Sequence, residues 1–391
     1  MYKNILSPQR INAVKTNFFG SGAITLLSPE LEKKGYKRAL IVTDMFLYES
    51  GVATKVGAEL LKANIEYAIY YDVKPNPTTT IVEECFEAVK ALDVDLIVAV
   101  GGGSPIDTAK AVSILATNGG VIQDYEGVNK SRNLGLPIVS VNTTSGTGSE
   151  VTAFYVVTDE KRHSKMVMVD TNAMVSIAIN DTDFMVSMPK SLTTATGMDA
   201  LTHGIECVLS KRATPITDKD AFWVIESVAS FLPRAYRNGD DKEARTMMAY
   251  AQNVAGQAFS NAGLGMVHAM AHALGGKFNL PHGVCNSLLL PYVLKFYTEK
   301  YEYKDRLAKI TDVIYRNIDN TEKKCCINFV RDLMSEMDMP KKIEDIAKLC
   351  DKDFLDLAEL AIIDTCMEDN IVAPTVEEIV KVYKKAYYGF N

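Results

Sequence analysis

Apolar and polar positions divide the chain into two halves of different character. From Ala39 to about Ile179, short β-branched runs alternate with longer segments of helical periodicity. RALIVTD (38–44), YAIYYDV (67–73), DLIVAV (95–100) and LPIVSVNTT (136–144) read as strands, the first of them as a buried one. VATKVGAELLKAN, VEECFEAVKAL and the segment that follows GGGSPID carry the helical pattern between them. Strands separated by helices predict a parallel sheet with right-handed crossovers. After roughly Met185, amphipathic helical segments succeed one another: LTTATGMDALTHGIECVL, DKDAFWVIESVASFL, KEARTMMAYAQNVAGQAF and, near the end, VEEIVKVYKKAYY. Strand-like runs nearly vanish there. The pattern predicts an α/β domain over 1–185 and an all-helical domain over 186–391, with a helix beginning after Pro189.

Composition supports that division and narrows the function. A chain of 391 residues is too long for one ordinary core, and 47% hydrophobic residues suffice for two. The net charge of −7 comes with no Lys/Arg block, which argues against a nucleic-acid or anionic-membrane surface. The seven cysteines include no CxxC spacing, so they describe neither a disulfide framework nor a thiolate zinc site. Cys325 and Cys326 read as ordinary thiols, and a reducing cytoplasm fits best. The opening MYKNILSPQRI lacks the apolar core of a signal peptide, and no run approaches the ~18 apolar residues of a membrane span. The expectation is a soluble, cytoplasmic protein.

The stretch 261–285, NAGLGMVHAMAHALGGKFNLPHGVC, holds three of the five histidines. His268 and His272 are four apart on a helical pattern, so both leave one face about 6 Å apart along the axis. Gly275-Gly276 is expected to end that helix, and a turn at Pro281 can fold His282 back toward it. Upstream, GMDALTHGIE places Asp199 and His203 on one helical face. A lone histidine is more often a satisfied polar residue than a ligand, but five donors so grouped point to a metal site. Nitrogen and carboxylate donors without thiolates suit Fe(II), Zn, Mn, Co or Ni. Spacing does not say which donor is spare. His163, in DEKRHSK, reads as an exposed loop residue.

Gly101-Gly102-Gly103-Ser104 follows a strand and opens a helix, with Asp107 in the next turn. Such a turn aims backbone N–H groups at a phosphate. It lacks the GxGxxG spacing of an ordinary dinucleotide fingerprint. The small-residue loop Thr143–Glu150 also follows a strand and can lie beside the first. Asp44, ending the first strand, is either a helix-capping carboxylate or the acceptor for an adenosine ribose 2′-OH, which would favour NAD over NADP.

Taken together and in order, NFFGSGAI, GGGSPID, NTTSGTGSEVT, TGMDALTHGIE, VHAMAHALGG and LPHGVCN resemble the iron-containing alcohol dehydrogenases over nearly the whole chain. The likeness is greatest to the branch acting on small primary alcohols, 1,3-propanediol and lactaldehyde. The resemblance implies an N-terminal dinucleotide-binding domain, a C-terminal helical metal-binding domain and NAD-dependent oxidation of a small alcohol. It implies that Asp199, His203, His268 and His282 hold Fe2+, with Zn2+ able to take the same donors, and that His272 is the spare histidine facing nicotinamide and substrate. Gly102, Gly103 and Ser104 would hold the pyrophosphate. Asp44 and Asn76 match the adenosine end, Thr143, Thr144, Thr152, Phe154 and Lys165 the nicotinamide-ribose side, and Asp107 lies near the cofactor. A homodimer or higher homo-oligomer is also implied. Phe154 stands where some members are polar, and DNIVAPT replaces the NPR that many relatives carry before the last helix. Two rivals remain. A dehydroquinate-synthase-like lyase would share the architecture, NAD and metal but need a Lys/Arg cluster for its acidic substrate, and only Lys165 is at hand. A non-catalytic nucleotide-binding protein would have lost a ligand, and every matched one is present.

Overall fold

A computed structural model describes residues 8–162, 164–299, 303–318 and 323–389. His163 therefore lies outside the described residues, as does most of MYKNILSPQRI. The chain separates into two compact units, Asn12–Ser187 and the chain from Met188 onward together with the residues up to Ile11.

The first unit is built on β1 (Thr16–Phe19), β2 (Arg38–Asp44), β3 (Glu66–Val73), β4 (Leu96–Gly101), β5 (Gly127–Val128), β6 (Ile138–Asn142), β7 (Phe154–Asp159), β8 (Ser164–Val169) and β9 (Ile177–Asn180). Its helices are α1 (Leu27–Glu32), α2 (Met45–Glu49), α3 (Val52–Lys62), α4 (Thr79–Leu92) and α5 (Gly103–Asn118). The main sheet has the order β1-β9-β6-β4-β2-β3, with every pairing parallel. Successive strand residues point to opposite faces. Leu40, Val42, Ile97 and Ala99 thus join one buried cluster, while Ala39, Ile41, Leu96 and Val98 join the other. Burial on both faces is why these strands read as continuous apolar runs. On α3, Ala53, Val56 and Leu60 form the buried stripe; on α4, Val82, Cys85 and Val89 do so.

Two features depart from the sequence reading. Phe154–Asp159 and Ser164–Val169 form an antiparallel hairpin, which joins β5 in a small second sheet. A short edge strand, Thr16–Phe19, also precedes the region in which strands were expected.

The second unit is helical: α6 (Lys190–Val208), α7 (Pro215–Arg237), α8 (Lys242–Ala262), α9 (Met266–Phe278), α10 (His282–Thr298), α11 (Lys304–Ile314), α12 (Cys326–Glu336), α13 (Asp351–Ile362), α14 (Thr365–Glu368) and α15 (Val376–Tyr388). Local chemistry sets several starts. Pro189 precedes α6, the Thr214 hydroxyl accepts from Thr217 N–H ahead of Pro215 in α7, and Thr375 with Glu378 closes a capping box on α15. Gly275-Gly276 does not end α9. The helix runs through both glycines to Phe278 and stops at Asn279, whose φ of 50° is left-handed. His282 is accordingly the first residue of α10 and not part of a free turn. No described helix is long and apolar enough to cross a membrane.

Candidate functional site

On α6, Asp199, His203 and Glu206 follow at i, i+4 and i+7, one buried face of the helix. His268 and His272 occupy the same face of α9, and His282 opens α10. α10 approaches α6 closely at Gly283, where a side-chain carbon would lie 2.1 Å from the carbonyl oxygen of Ala195. Only glycine fits there, and its neighbour His282 is thereby brought to the α6 donors.

The donors converge. Oδ1 of Asp199 lies 3.8 Å from Nε2 of His203, 3.7 Å from Nε2 of His268 and 3.4 Å from Nε2 of His282. Asp199, His268 and His282 bring donor atoms all within 4.8 Å of one another, a spacing one divalent ion can bridge, and His203 reaches the same carboxylate from the next turn of α6. The rings of His203 and His268 stack at 4.7 Å, and His203 also stacks on Phe259 at 4.3 Å. A further residue marks the point of convergence. The amide nitrogen of Asn286 donates to Asp199 at 2.6 Å and lies 3.1 Å from Nε2 of both His268 and His282. Its own Oδ1 is buried with no hydrogen-bond partner. Three oxygen and nitrogen lone pairs aimed at one spot in a thiolate-free pocket fit a borderline cation.

Two more carboxylates stand behind the imidazoles. Nδ1 of His268 donates to Glu206 at 2.6 Å, and Nδ1 of His272 donates to Asp364 at 2.9 Å. His272 stacks on His282 at 5.2 Å, which places it beside the convergent group. Burial disfavours charge on Asp199, but the surrounding His203, His282 and His268 outweigh it and hold the carboxyl well below its ordinary range. Burial likewise opposes a charged His268, and its hydrogen bonds to Asp199 and Glu206 prevail, lifting the ring to about 9. A cation at that nitrogen takes the place of a proton.

In the first unit, β3 lies on one side of β2 and β4 on the other, so the strand order reverses between β2 and β4. Ligands of open parallel sheets bind outside the carboxyl ends of the strands at such a point. Asp44 ends β2 and Gly101 ends β4. Gly101 turns with φ 149°, and a side chain on it would strike Pro105. The N-terminus of the 16-residue α5 carries no side-chain cap, and N–H groups at such a start can take an anion. The second loop packs directly on this turn. Side chains added to Gly102 and Gly103 would meet Thr144 and Thr147 at 2.8 and 2.9 Å, and Thr143 N–H donates to Gly101 at 3.1 Å.

The remaining candidates divide between groove and scaffold. Asp44 caps α2 through Leu47 N–H at 2.8 Å. Lys165 donates to Asn76 at 2.9 Å, joining two of the expected contacts into one pair, and Phe154 is half-buried at the start of β7. Ser104 is half-buried in the first turn of α5. Asp107 turns inward: one oxygen accepts from Ser149 at 2.6 Å and the other from Val156 N–H at 3.0 Å. Beside it the fully buried Lys110 donates to the carbonyls of Ser149, Thr152 and Phe154 at 2.6, 2.9 and 2.7 Å. The Thr152 hydroxyl faces the same ammonium at 3.3 Å. Asp107, Lys110 and Thr152 thus hold the second loop in place.

Two family models match in tandem: residues 15–182 match "Iron-containing alcohol dehydrogenase", and residues 193–387 match "Fe-containing alcohol dehydrogenase family, C-terminal". The chain belongs to the iron-containing alcohol dehydrogenase family. It is an oxidoreductase of that family, and the lyase and non-catalytic alternatives fall away. Alcohol dehydrogenase 4 of Schizosaccharomyces pombe is 42% identical over 95% of this chain and 87% of its own. The NAD-dependent methanol dehydrogenase of Bacillus methanolicus is 38% identical over 95% and 100%. A crystal structure of a 1,3-propanediol oxidoreductase superposes with a TM-score of 0.91 at 38% identity, covering 97% of this chain and all of its own.

Three residues that contact these candidates escaped the sequence reading. Glu206 was legible in principle, sharing the helical face of Asp199 and His203. Asn286 sits four residues after His282, again on one face. Asp364 had no local signal, since 92 residues separate it from His272.

Proposed function

We propose that this dehydrogenase interconverts short primary alcohols and their aldehydes with NAD as the hydride carrier. The observation that carries the reading is the convergence of Asp199 Oδ1 with three imidazole nitrogens within 3.4–3.8 Å, in a chain of this family. Asp199, His203, His268 and His282 would hold the cation, Fe2+ by the family's habit, with Zn2+ satisfied by the same donors. Bound there, a divalent ion supplies Lewis acidity that eases loss of the alcohol proton and polarises the aldehyde carbonyl. NAD supplies the hydride acceptor.

The chain's own groups do the rest. Backbone N–H groups of Gly102, Gly103 and Ser104 take the pyrophosphate, and Asp44 and Asn76 serve the adenosine end. Thr143, Thr144, Phe154 and Lys165 line the nicotinamide-ribose side, while Thr152 and Asp107 brace the loop behind them. His272, with Nδ1 committed to Asp364, keeps Nε2 as the base that takes the alcohol proton. Methanol and 1,3-propanediol, the substrates in the relatives' names, bracket the size expected. The reading extends to a homo-oligomeric enzyme of the cytoplasm, a compartment suited to seven free cysteines.

The test is NADH formation with methanol, ethanol, butanol and 1,3-propanediol by anaerobically metal-loaded protein. Turnover that disappears on chelation and returns with the ion is expected. Metal-loaded protein that binds NAD and oxidises none of these alcohols overturns the proposal.

A further inference from the structure

Glu206 is buried against the first turn of α9, and its hydrogen bonds are unusually complete. Oε2 accepts Nδ1–H of His268 at 2.6 Å, Gly265 N–H at 3.1 Å and His268 N–H at 3.3 Å; Oε1 accepts Val267 N–H at 2.7 Å. Asn370 Oδ1 takes Met266 N–H at 3.0 Å. N–H groups at a helix start have no partner inside the helix. At α9 two side chains from elsewhere supply them all through His268, and the positive end of the helix suits the anion.

One of these bonds bears on chemistry. A carboxylate only accepts, so Nδ1 of His268 keeps its proton, and Nε2 is the nitrogen that yields a lone pair to a cation. That nitrogen lies 3.7 Å from Asp199 Oδ1. We propose that Glu206 is a positioning residue of the metal site, which fixes His268 as the Nδ1–H tautomer and locks its ring so that Nε2 meets the cation without rearrangement. The inference rests on the reading of His268 as a metal donor.

Glu206→Gln keeps the shape and breaks the logic. With its amide nitrogen toward Nδ1, the glutamine drives the ring proton to Nε2, the atom meant for the metal. With the amide turned over, its NH2 faces Val267 N–H. Either way, zinc affinity of the full-length protein, measured by competition with a chromophoric chelator, should fall about 10- to 100-fold. Asn370→Ala is the control: it removes a cap from the same turn without touching the ring. It should lower the unfolding midpoint and leave zinc affinity unchanged.

A second measurement needs no variant. Long-range 1H–15N spectra of the full-length wild-type protein, metal-free and zinc-loaded, should show His268 protonated at Nδ1. An Nδ1 without its proton in either state overturns the proposal whatever the variants do. Glu206→Gln binding zinc as tightly as wild type also overturns it, and leaves the metal reading standing. If His268→Ala too binds zinc like wild type, the metal reading itself has failed.

Discussion

Asp364 accepts the Nδ1 proton of His272 at 2.9 Å, and its other oxygen accepts Cys366 N–H at 2.8 Å. The carboxylate is therefore fixed from two sides before it orients the ring. Burial disfavours its charge, but the neighbouring His272 and these hydrogen bonds prevail and hold it below its ordinary range. Asp364→Asn should keep the bound metal and the fold while turnover drops by about 100-fold or more, the usual worth of a positioned proton acceptor. Metal content and kcat measured on the same sample check this. A fall in both together would mean that Asp364 serves the metal site instead.

Lys110 should matter to the nucleotide-binding unit although no cofactor atom need touch it. Its three N–H donors match the carbonyls of Ser149 in the second loop, Thr152 just beyond it and Phe154 at the start of β7, and Asp107 lies alongside. Lys110→Met leaves those oxygens and that carboxylate buried without their cation. The expected cost is about 1–3 kcal/mol for each buried carbonyl left without its donor. A lowered urea midpoint with weakened NAD binding checks it; an unchanged midpoint refutes the bracing role.

Asp44 sets a cofactor preference if it meets the adenosine ribose. Two charges about 4 Å apart in water repel by about 1 kcal/mol, so Asp44→Ser should improve NADP use relative to NAD about fivefold or more. The ratio of kcat/KM for the two cofactors is the readout. No change in that ratio leaves Asp44 as the α2 cap alone.

Acid stability should depend on Asp353, which clamps α13 to the histidine-bearing α9. Lys277 bridges Asp353 and Asp356 at 2.8 Å each. The hydrogen bond from Lys277, then the backbone N–H of Cys350, pull the Asp353 carboxyl down to about 2. A depressed carboxylate stabilises the fold above its unfolded value and loses that contribution as pH falls toward about 2. Wild type should thus outlast Asp353→Asn in urea from neutral pH down to about 4, and the two should converge near pH 2. Parallel curves across that window would contradict the clamp.

How much of this was legible in the sequence depends on how local each signal is. β2 appears at Arg38–Asp44 as read, because both faces of the strand are buried and the run is unbroken. The β7–β8 hairpin was missed because FYVVTD and SKMVMV are separated by a polar turn with no helix, outside the alternation that revealed the other strands. Gly275-Gly276 looked like a stop, yet glycine costs a helix interior only about 1 kcal/mol, and Asn279 in the left-handed region ends it instead. Asp199 with His203 and His268 with His272 were readable from i, i+4 spacing. Asp364 and Asn370 were not, because only the folded chain brings them to α9.

The most direct test is anaerobic metal analysis, with NAD-dependent ethanol oxidation, on wild type, Asp199→Asn, His203→Ala, His268→Ala and His282→Ala. A divalent ion in the wild type, with ion and turnover lost together in each variant, is the predicted result. A variant that keeps both its ion and its turnover would contradict the account.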